Sequence, residues 1–478
     1  MAKSLSFLDK SFWITESAAN PKHVGCIQIL EMPDGVIPSV YVSNLVAEFK
    51  SFDKAVPPFL CKVKSVMGYP IGLQPVKSLN MSYHVQFHKV EDVNDPIAMD
   101  NKVASMHETR LDPDKPLWQF HVLHDDVSRR FAIYIRVHHM YGDGATLVRW
   151  FQAGYLKQPH TGSFIPVWAM KRKRYSKPRL SVLAMWKRRV VNFVHISRDL
   201  TVIFIRLLLK LIRVNRHYMP VPFTGTKTIL TGQVKNGRAV ATMDIDFARV
   251  RKVSRRCRAT ANEVLLCAFD IGVHRLLQDH GHTFKKALLT NVPINLRRPG
   301  EKTGGNKIAI VPVKLAHGES DPYLRLRQII YNHRIVKNAA QRANPGSFSA
   351  YTIVIQSCAL VIEWCRLSNY IPPIGNILIS NVPGPKDTRY LKDSKLISVY
   401  PVSTMTPGGG VNITLMTYNG TANIGFVCGN NRIDSLQPLA GYVEEAFDML
   451  EKSVDDPTLS IDDIGEHEED IPVSIVES

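Results

Sequence analysis

Apolar and polar positions alternate along "FAIYIRVHHM", so Phe131, Ile133, Ile135, Val137 and His139 share one face of an extended strand. Gly142-Asp143-Gly144 ends that run. Asp143 stands at the N-cap position of the helix-like "ATLVRWFQAGYL" that follows. The opening residues therefore read as a mixed α/β domain over 1–160. Strand and helix signals resume near residue 221. "VRKVSRRCRATANEVLLCAFDIGVHRLLQDHG" reads as helix, "KALLTNVPINLRR" as strand and loop, and "NILISNVPGP" as strand. "VNITLMTYNGTANIGFVCG" predicts a hairpin turning at Asn419-Gly420, and "DSLQPLAGYVEEAFDMLEKSV" a terminal helix. This delimits a second domain over 221–453. The tail 454–478 holds many acidic residues and no Lys or Arg, and is expected to be disordered.

The intervening 161–220 has a different pattern. A basic run, "MKRKRYSKPRL", leads into "SVLAMWKRRVVNFVHISRDLTVIFIRLLLKLIRV". Arg188, Asn192, His195, Asp199, Arg206, Lys210 and Arg213 recur there at three- and four-residue steps with one position skipped. They trace a narrow polar stripe on a broad apolar helix. Charges interrupt this stretch too often for the roughly 20 apolar residues that span a bilayer. It reads either as an interdomain strut or as an in-plane helix whose basic residues meet anionic headgroups.

The 478-residue chain is 45% hydrophobic and carries a net charge of +18. That composition is globular, and the positive excess calls for an anionic partner such as nucleic acid, anionic lipid or a phosphorylated substrate. Nucleic acid gains little support, because the basic residues cluster in an apolar helix rather than among exposed aromatics. Seven cysteines with no C-x-x-C pair argue against a disulfide framework or a zinc ribbon, and favour a reducing compartment. The start "MAKSLSFLDKSFW" has no long apolar stretch, so no signal peptide is expected.

His138 and His139 are the candidate chemistry. As neighbours on a strand they point to opposite faces, which disfavours their clasping one metal ion. A histidine ending an apolar face is often a core residue. But His139 precedes a glycine-rich turn, where Gly142 and Gly144 leave room for a ligand, and a neutral imidazole there can act as a base near pH 7.

The spacing H-H-x-x-x-D-G resembles the signature of the CoA-dependent acyltransferase superfamily, which includes chloramphenicol acetyltransferase and peptide-synthetase condensation domains. Other segments narrow the resemblance. "LSFLDKSFWITESAANPKHVG", the Pro116-Leu117-Trp118 triplet, "NEVLL" from Asn262, "PINLR", Gly304 to Asn306, "SNVPGP" from Ser380 and "NITLMTYNG" are similar, in order, to bacterial wax ester synthase/diacylglycerol acyltransferases. Glu263 stands where that family has an aspartate. The resemblance runs from about residue 4 to 452.

It implies a two-domain, chloramphenicol-acetyltransferase-like α/β fold with mixed sheets and a helical interdomain linker. It implies transfer of a fatty acyl group from acyl-CoA, as co-substrate, to a long-chain alcohol or diacylglycerol. His139 would be the general base in a ternary complex, with no covalent acyl-enzyme and no bound metal or cofactor. Positioned base catalysis is worth about 10²–10⁴-fold. His138 is expected to be structural, and Asp143 to anchor the loop at Gly144, paired with Arg297. Asn262 is the candidate oxyanion donor; Asn295 reads better as a turn residue. Pro116, Leu117 and Trp118 are candidates for substrate contact, with Trp118 lining an acyl tunnel or packing the core. The implied location is cytoplasmic, peripheral to the inner membrane or lipid droplets. The alternatives are a condensation-type or short-chain alcohol acyltransferase, and a non-catalytic lipid-surface binder.

Overall fold

The computed structural model describes residues 5, 7–142, 144–171, 182–215, 217–295, 308–429 and 433–455. The chain opens with α1 (Phe7–Ile14), β1 (His23–Glu31), α2 (Pro38–Ser51), β2 (Cys61–Val66) and β3 (Tyr69–Pro75). Then come α3 (Met81–His84), β4 (Val85–Lys89), α4 (Pro96–His107), β5 (Trp118–His124) and β6 (Arg130–His138). A 3₁₀ turn (His139–Tyr141) leads to α5 (Gly144–Gly154) and the long α6 (Val182–Leu211). The second half runs β7 (Ala239–Asp246), α7 (Phe247–Arg256), α8 (Ala261–Asp279), β8 (Leu289–Asn295), β9 (Ile308–Lys314), α9 (Pro322–Arg342) and α10 (Pro345–Trp364). It closes with β10 (Ile377–Pro383), β11 (Tyr390–Leu391), β12 (Ser394–Val402), β13 (Val411–Tyr418), β14 (Thr421–Cys428) and α11 (Gln437–Asp455).

Two six-stranded mixed sheets result, ordered β11-β12-β1-β6-β5-β4 and β7-β14-β13-β10-β8-β9, with β2-β3 as a separate hairpin. The expected boundary at 221–453 needs correction. Strands β11 and β12 leave the second half and pair with the first sheet, β12 lying antiparallel to β1. The first domain is therefore completed by residues from late in the chain. The sheets meet where Gly425 on β14 faces Pro401 on β12; a Cβ at Gly425 would lie 1.9 Å from the Pro401 carbonyl oxygen, so only glycine fits. Asp100 of α4 reinforces the junction by accepting from Thr242 N and Gln437 Nε2, both 2.9 Å away.

Local chemistry explains most elements. The β13–β14 turn is the expected Asn419-Gly420, both with positive φ, as a two-residue hairpin of the primed type requires. The long helix expected from Val250 is instead two. Helix α7 ends near Cys257, Arg258 takes φ +49°, and Thr260 restarts the helix through a reciprocal capping box with Glu263. Helix α6 forms, but its stripe is turned inward at key points. Asp199 accepts from Asn344 N, the Arg206 guanidinium lies over the Tyr218 ring, and Lys210 is half-buried. Ile203 and Leu207 pack with Phe348, Tyr351 and Ile355 of α10. The outer side of α6 is apolar and exposed, with Trp186, Phe193, Phe204, Leu208 and Leu211 all open to solvent.

Candidate functional site

The histidine pair sits at the edge where the two domains meet. Strand β6 ends at His138, paired in register with His23 of β1. His139 does not continue the strand face, as the alternation had suggested; it opens the 3₁₀ turn. Its N–H donates to the Lys22 carbonyl at 2.9 Å. The two imidazoles end in different surroundings. His138 is wholly buried, and its Nδ1 accepts from Met140 N at 3.1 Å. That leaves Nε2 to carry the proton, and Nε2 lies 3.4 Å from Glu16 Oε1. His139 is half-buried, its ring stacked on Phe12 of α1 with centroids 4.1 Å apart.

Glu16 is the residue that sequence reasoning missed. Its carboxylate is 1% exposed; it accepts from Arg110 Nε at 2.7 Å and from Lys22 N at 3.1 Å. Burial pushes its pKa up, but His138, Arg110 and the Lys22 amide outweigh that and hold it below the ordinary value. Glu16 thus ties the segment after α1 to the back of the histidine turn. Lys22 is itself buried, with Nζ 3.3 Å from the Met405 carbonyl, and burial pushes its pKa down to about 8. The quoted stretch "WITESAANPKHVG" contained both residues, yet nothing in their spacing named their partners.

Pro116-Leu117-Trp118 supports the turn from below. The Leu117 carbonyl accepts from His138 N at 3.0 Å, and Leu117 N donates to the Tyr141 hydroxyl at 2.9 Å. Of the two roles open to Trp118, the structure shows the core packing. Trp118 is fully buried, donates Nε1–H to the Phe59 carbonyl, and stacks between His84 and Trp168. The triplet acts through the turn it holds.

Gly144, the first residue of α5, faces the second sheet: a Cβ there would lie 3.9 Å from Val382 of β10. Beside Val382, Asn381 donates to Asn262 Oδ1 at 2.5 Å. Asn262 lies at the exposed N-terminus of α8, and since neighbouring strand residues point to opposite faces, its partner Asn381 is directed away from the face on which Val382 meets Gly144. Glu263 points elsewhere, 2.8 Å from His333 of α9. Gly142 has a packing role: a Cβ there would lie 2.9 Å from Thr146. Asp143, Arg297 and the Gly304 to Asn306 stretch lie outside the described residues, as does the tail from 456. Among the described residues no cluster of His, Cys, Asp and Glu is placed to hold a metal ion.

Two mixed sheets joined by a strand crossover, with a histidine turn at their junction, define the two-domain acyltransferase and condensation-domain class of fold. Residues 5–265 match the wax ester synthase/diacylglycerol acyltransferase catalytic domain and residues 304–451 the C-terminal domain of the same family, to which the chain belongs. It is similar to a protein of Mycobacterium tuberculosis named as a diacylglycerol O-acyltransferase, 26% identical over 94% of this chain and 97% of that one. It is also similar to an O-acyltransferase of Acinetobacter baylyi, 25% identical over 93% and 96%. The wax ester synthase/diacylglycerol acyltransferase of Marinobacter aquaeolei superposes with a TM-score of 0.71 at 21% identity, covering 95% of this chain and all of the other. A condensation domain of the calcium-dependent antibiotic synthetase shares the fold, with a TM-score of 0.58 at 12% identity over 97% and 98% of the chains. The protein is an acyltransferase of the wax ester synthase/diacylglycerol acyltransferase type.

Proposed function

We propose that the protein transfers a fatty acyl group from acyl-CoA to the hydroxyl of a long-chain alcohol or of diacylglycerol, with His139 as general base. The observation that carries this is the division of labour in the pair: His138 is buried and held from both sides, while His139 stands half-open at the domain junction. His139 takes the hydroxyl proton as oxygen attacks the thioester, and the proton leaves with the CoA thiol. Asn262 is the candidate donor to the oxyanion, on its place in the family-like "NEVLL" segment.

A ternary complex, without an acyl-cysteine, fits the thiols. Cys26, on β1 beside β6, is pushed up to about 11 by burial, and Cys257 to about 12, so neither is ready as a thiolate. Wild-type protein with palmitoyl-CoA and either hexadecanol or a diacylglycerol should release free CoA thiol. Release with neither acceptor would remove the substrate assignment.

The same reading places the enzyme at a lipid surface, cytoplasmic and peripheral to a membrane or droplet. Its support is the apolar outer side of α6, continued by Val361 and Trp364 of α10, also exposed. Exposed apolar patches of this kind mark interaction surfaces. Helix α10 is long and apolar enough to cross a membrane over Gly346–Trp364, but a third of it is buried against the body.

A further inference from the structure

The face of β6 that carries Ile133, Ile135 and Val137 ends beside the histidine turn and also floors a small apolar cavity. Ile133 and Ile135 line it from the sheet; Trp150, Phe151, Gly154 and Tyr155 line it from α5. Its volume is about 40 Å³. The polar side chains in its wall are Tyr155 and Gln28, and they serve each other: the tyrosine hydroxyl donates to Gln28 Oε1. Burial holds that hydroxyl protonated, with its pKa far above the ordinary value. A cavity with such a lining stays dry and takes apolar guests.

Its position links it to the reaction. Helix α5 begins at Gly144, next to the histidine turn, and ends at Gly154, on the cavity. Val137 and Val148 belong to the same buried cluster as the cavity's sheet wall. At a strand rise of roughly 3.3 Å per residue, Ile135 lies roughly 13 Å and Ile133 roughly 20 Å from His139. That is the reach of a long hydrocarbon chain whose reacting end is at the histidine. Trp150 and Phe151 remain half-exposed on α5, so this side of the seam is the one that can yield.

We infer that the seam between α5 and the β1–β6 face holds the hydrocarbon tail of one of the two substrates, and that this cavity receives its distal end and sets the preferred length. The inference rests on the acyltransferase reading above. Each methylene it buries favours longer chains. Gly154 is the lever. Its φ is not in the left-handed region, and an added Cβ would meet only Val167, at an ordinary 3.8 Å.

The test compares wild type, Gly154→Leu and Phe151→Ala by thiol release. One arm pairs octanoyl- or palmitoyl-CoA with a fixed alcohol; the other pairs octanol or hexadecanol with a fixed acyl-CoA. Gly154→Leu should lower the long-to-short ratio of kcat/KM at least tenfold in one arm, and that arm identifies whose tail occupies the cavity. Phe151→Ala should raise the same ratio, and it carries the test alone if Gly154→Leu does not fold. Ratios within twofold of wild type in both arms for both variants would overturn the inference while leaving the acyltransferase reading intact. No thiol release by wild type with any pair would overturn both.

Discussion

Around the histidine turn, polar side chains lie inside the protein: Glu16, Lys22, His23 and His138 are all buried. Along α6 the reverse holds. Asp199 and Lys210 turn toward the body while Trp186, Phe193, Phe204 and Leu208 face outward. Both regions depart from the usual distribution, in which charged groups stay in water and large apolar groups leave it. At the turn, most of the buried polar groups have named partners, so the fold depends on them and changing one should be felt in stability. On α6, Phe204 also packs its ring 6.1 Å from that of Tyr351, but Trp186, Phe193 and Leu208 stand mostly in solvent. They can be replaced without unfolding it, and their purpose should emerge only when a lipid surface is supplied.

The largest stability effect is expected at the turn. Glu16→Gln removes the charge that holds Arg110 and His138, and should destabilise by about 3 kcal/mol, the low end for a broken buried pair because Arg110 is partly exposed. Urea unfolding measures this. The pH dependence has a definite sign. Because the folded-state pKa of Glu16 is lowered, its contribution is present above pH 4.5 and is lost as pH falls through the folded value. The variant should lack that loss; an identical acid limb would remove Glu16 as the clamp.

Lys22→Met should act in the opposite direction. A lysine whose pKa is lowered from 10.5 to about 8 disfavours the fold while it is protonated. Relief should be on the order of 3 kcal/mol or less at neutral pH, and should fade as pH rises from 8 toward 10.5. Equal stability of wild type and variant across that window would mean that Lys22 is not held in a desolvated site.

The smallest stability effect belongs to α6. Replacing Phe193, Leu208 and Leu211 with serine should change unfolding by about 0.5 kcal/mol or less per site. Co-sedimentation with anionic vesicles should fall several-fold, and should depend only weakly on salt. Exchanging Arg206, Lys210 and Arg213 for glutamine should matter less than the serine set, because Lys210 is half-buried and Arg206, though exposed, is engaged with the Tyr218 ring. The opposite ranking would restore headgroup contact as the main force.

Much of this contrast was legible in the sequence, and the limits have physical causes. The Asn419-Gly420 turn and the terminal helix follow from local backbone preference, so local patterning was enough to find them. The capping pattern from Thr260 to Glu263 was also present. It was read through because apolar positions continue on both sides, and only the positive φ at Arg258 shows the break. The outward face of α6 was not legible, since an amphipathic pattern does not say which side meets the body. Glu16 and the β12 crossover depend on partners distant in sequence: Arg110 is 94 residues from Glu16, and β1 lies at the other end of the chain from β12. His139 was found by its motif. Its departure from the strand was not, because the turn is set by the Lys22 carbonyl across the β1–β6 ladder.

The central claim is that His139, and not its buried neighbour, carries the chemistry. The direct measurement is thiol release from palmitoyl-CoA by His139→Ala, with thermal unfolding recorded on the same preparation. Turnover should fall by about 10²–10⁴-fold while the unfolding temperature stays near wild type. Near-full turnover in a folded His139→Ala protein would contradict the account.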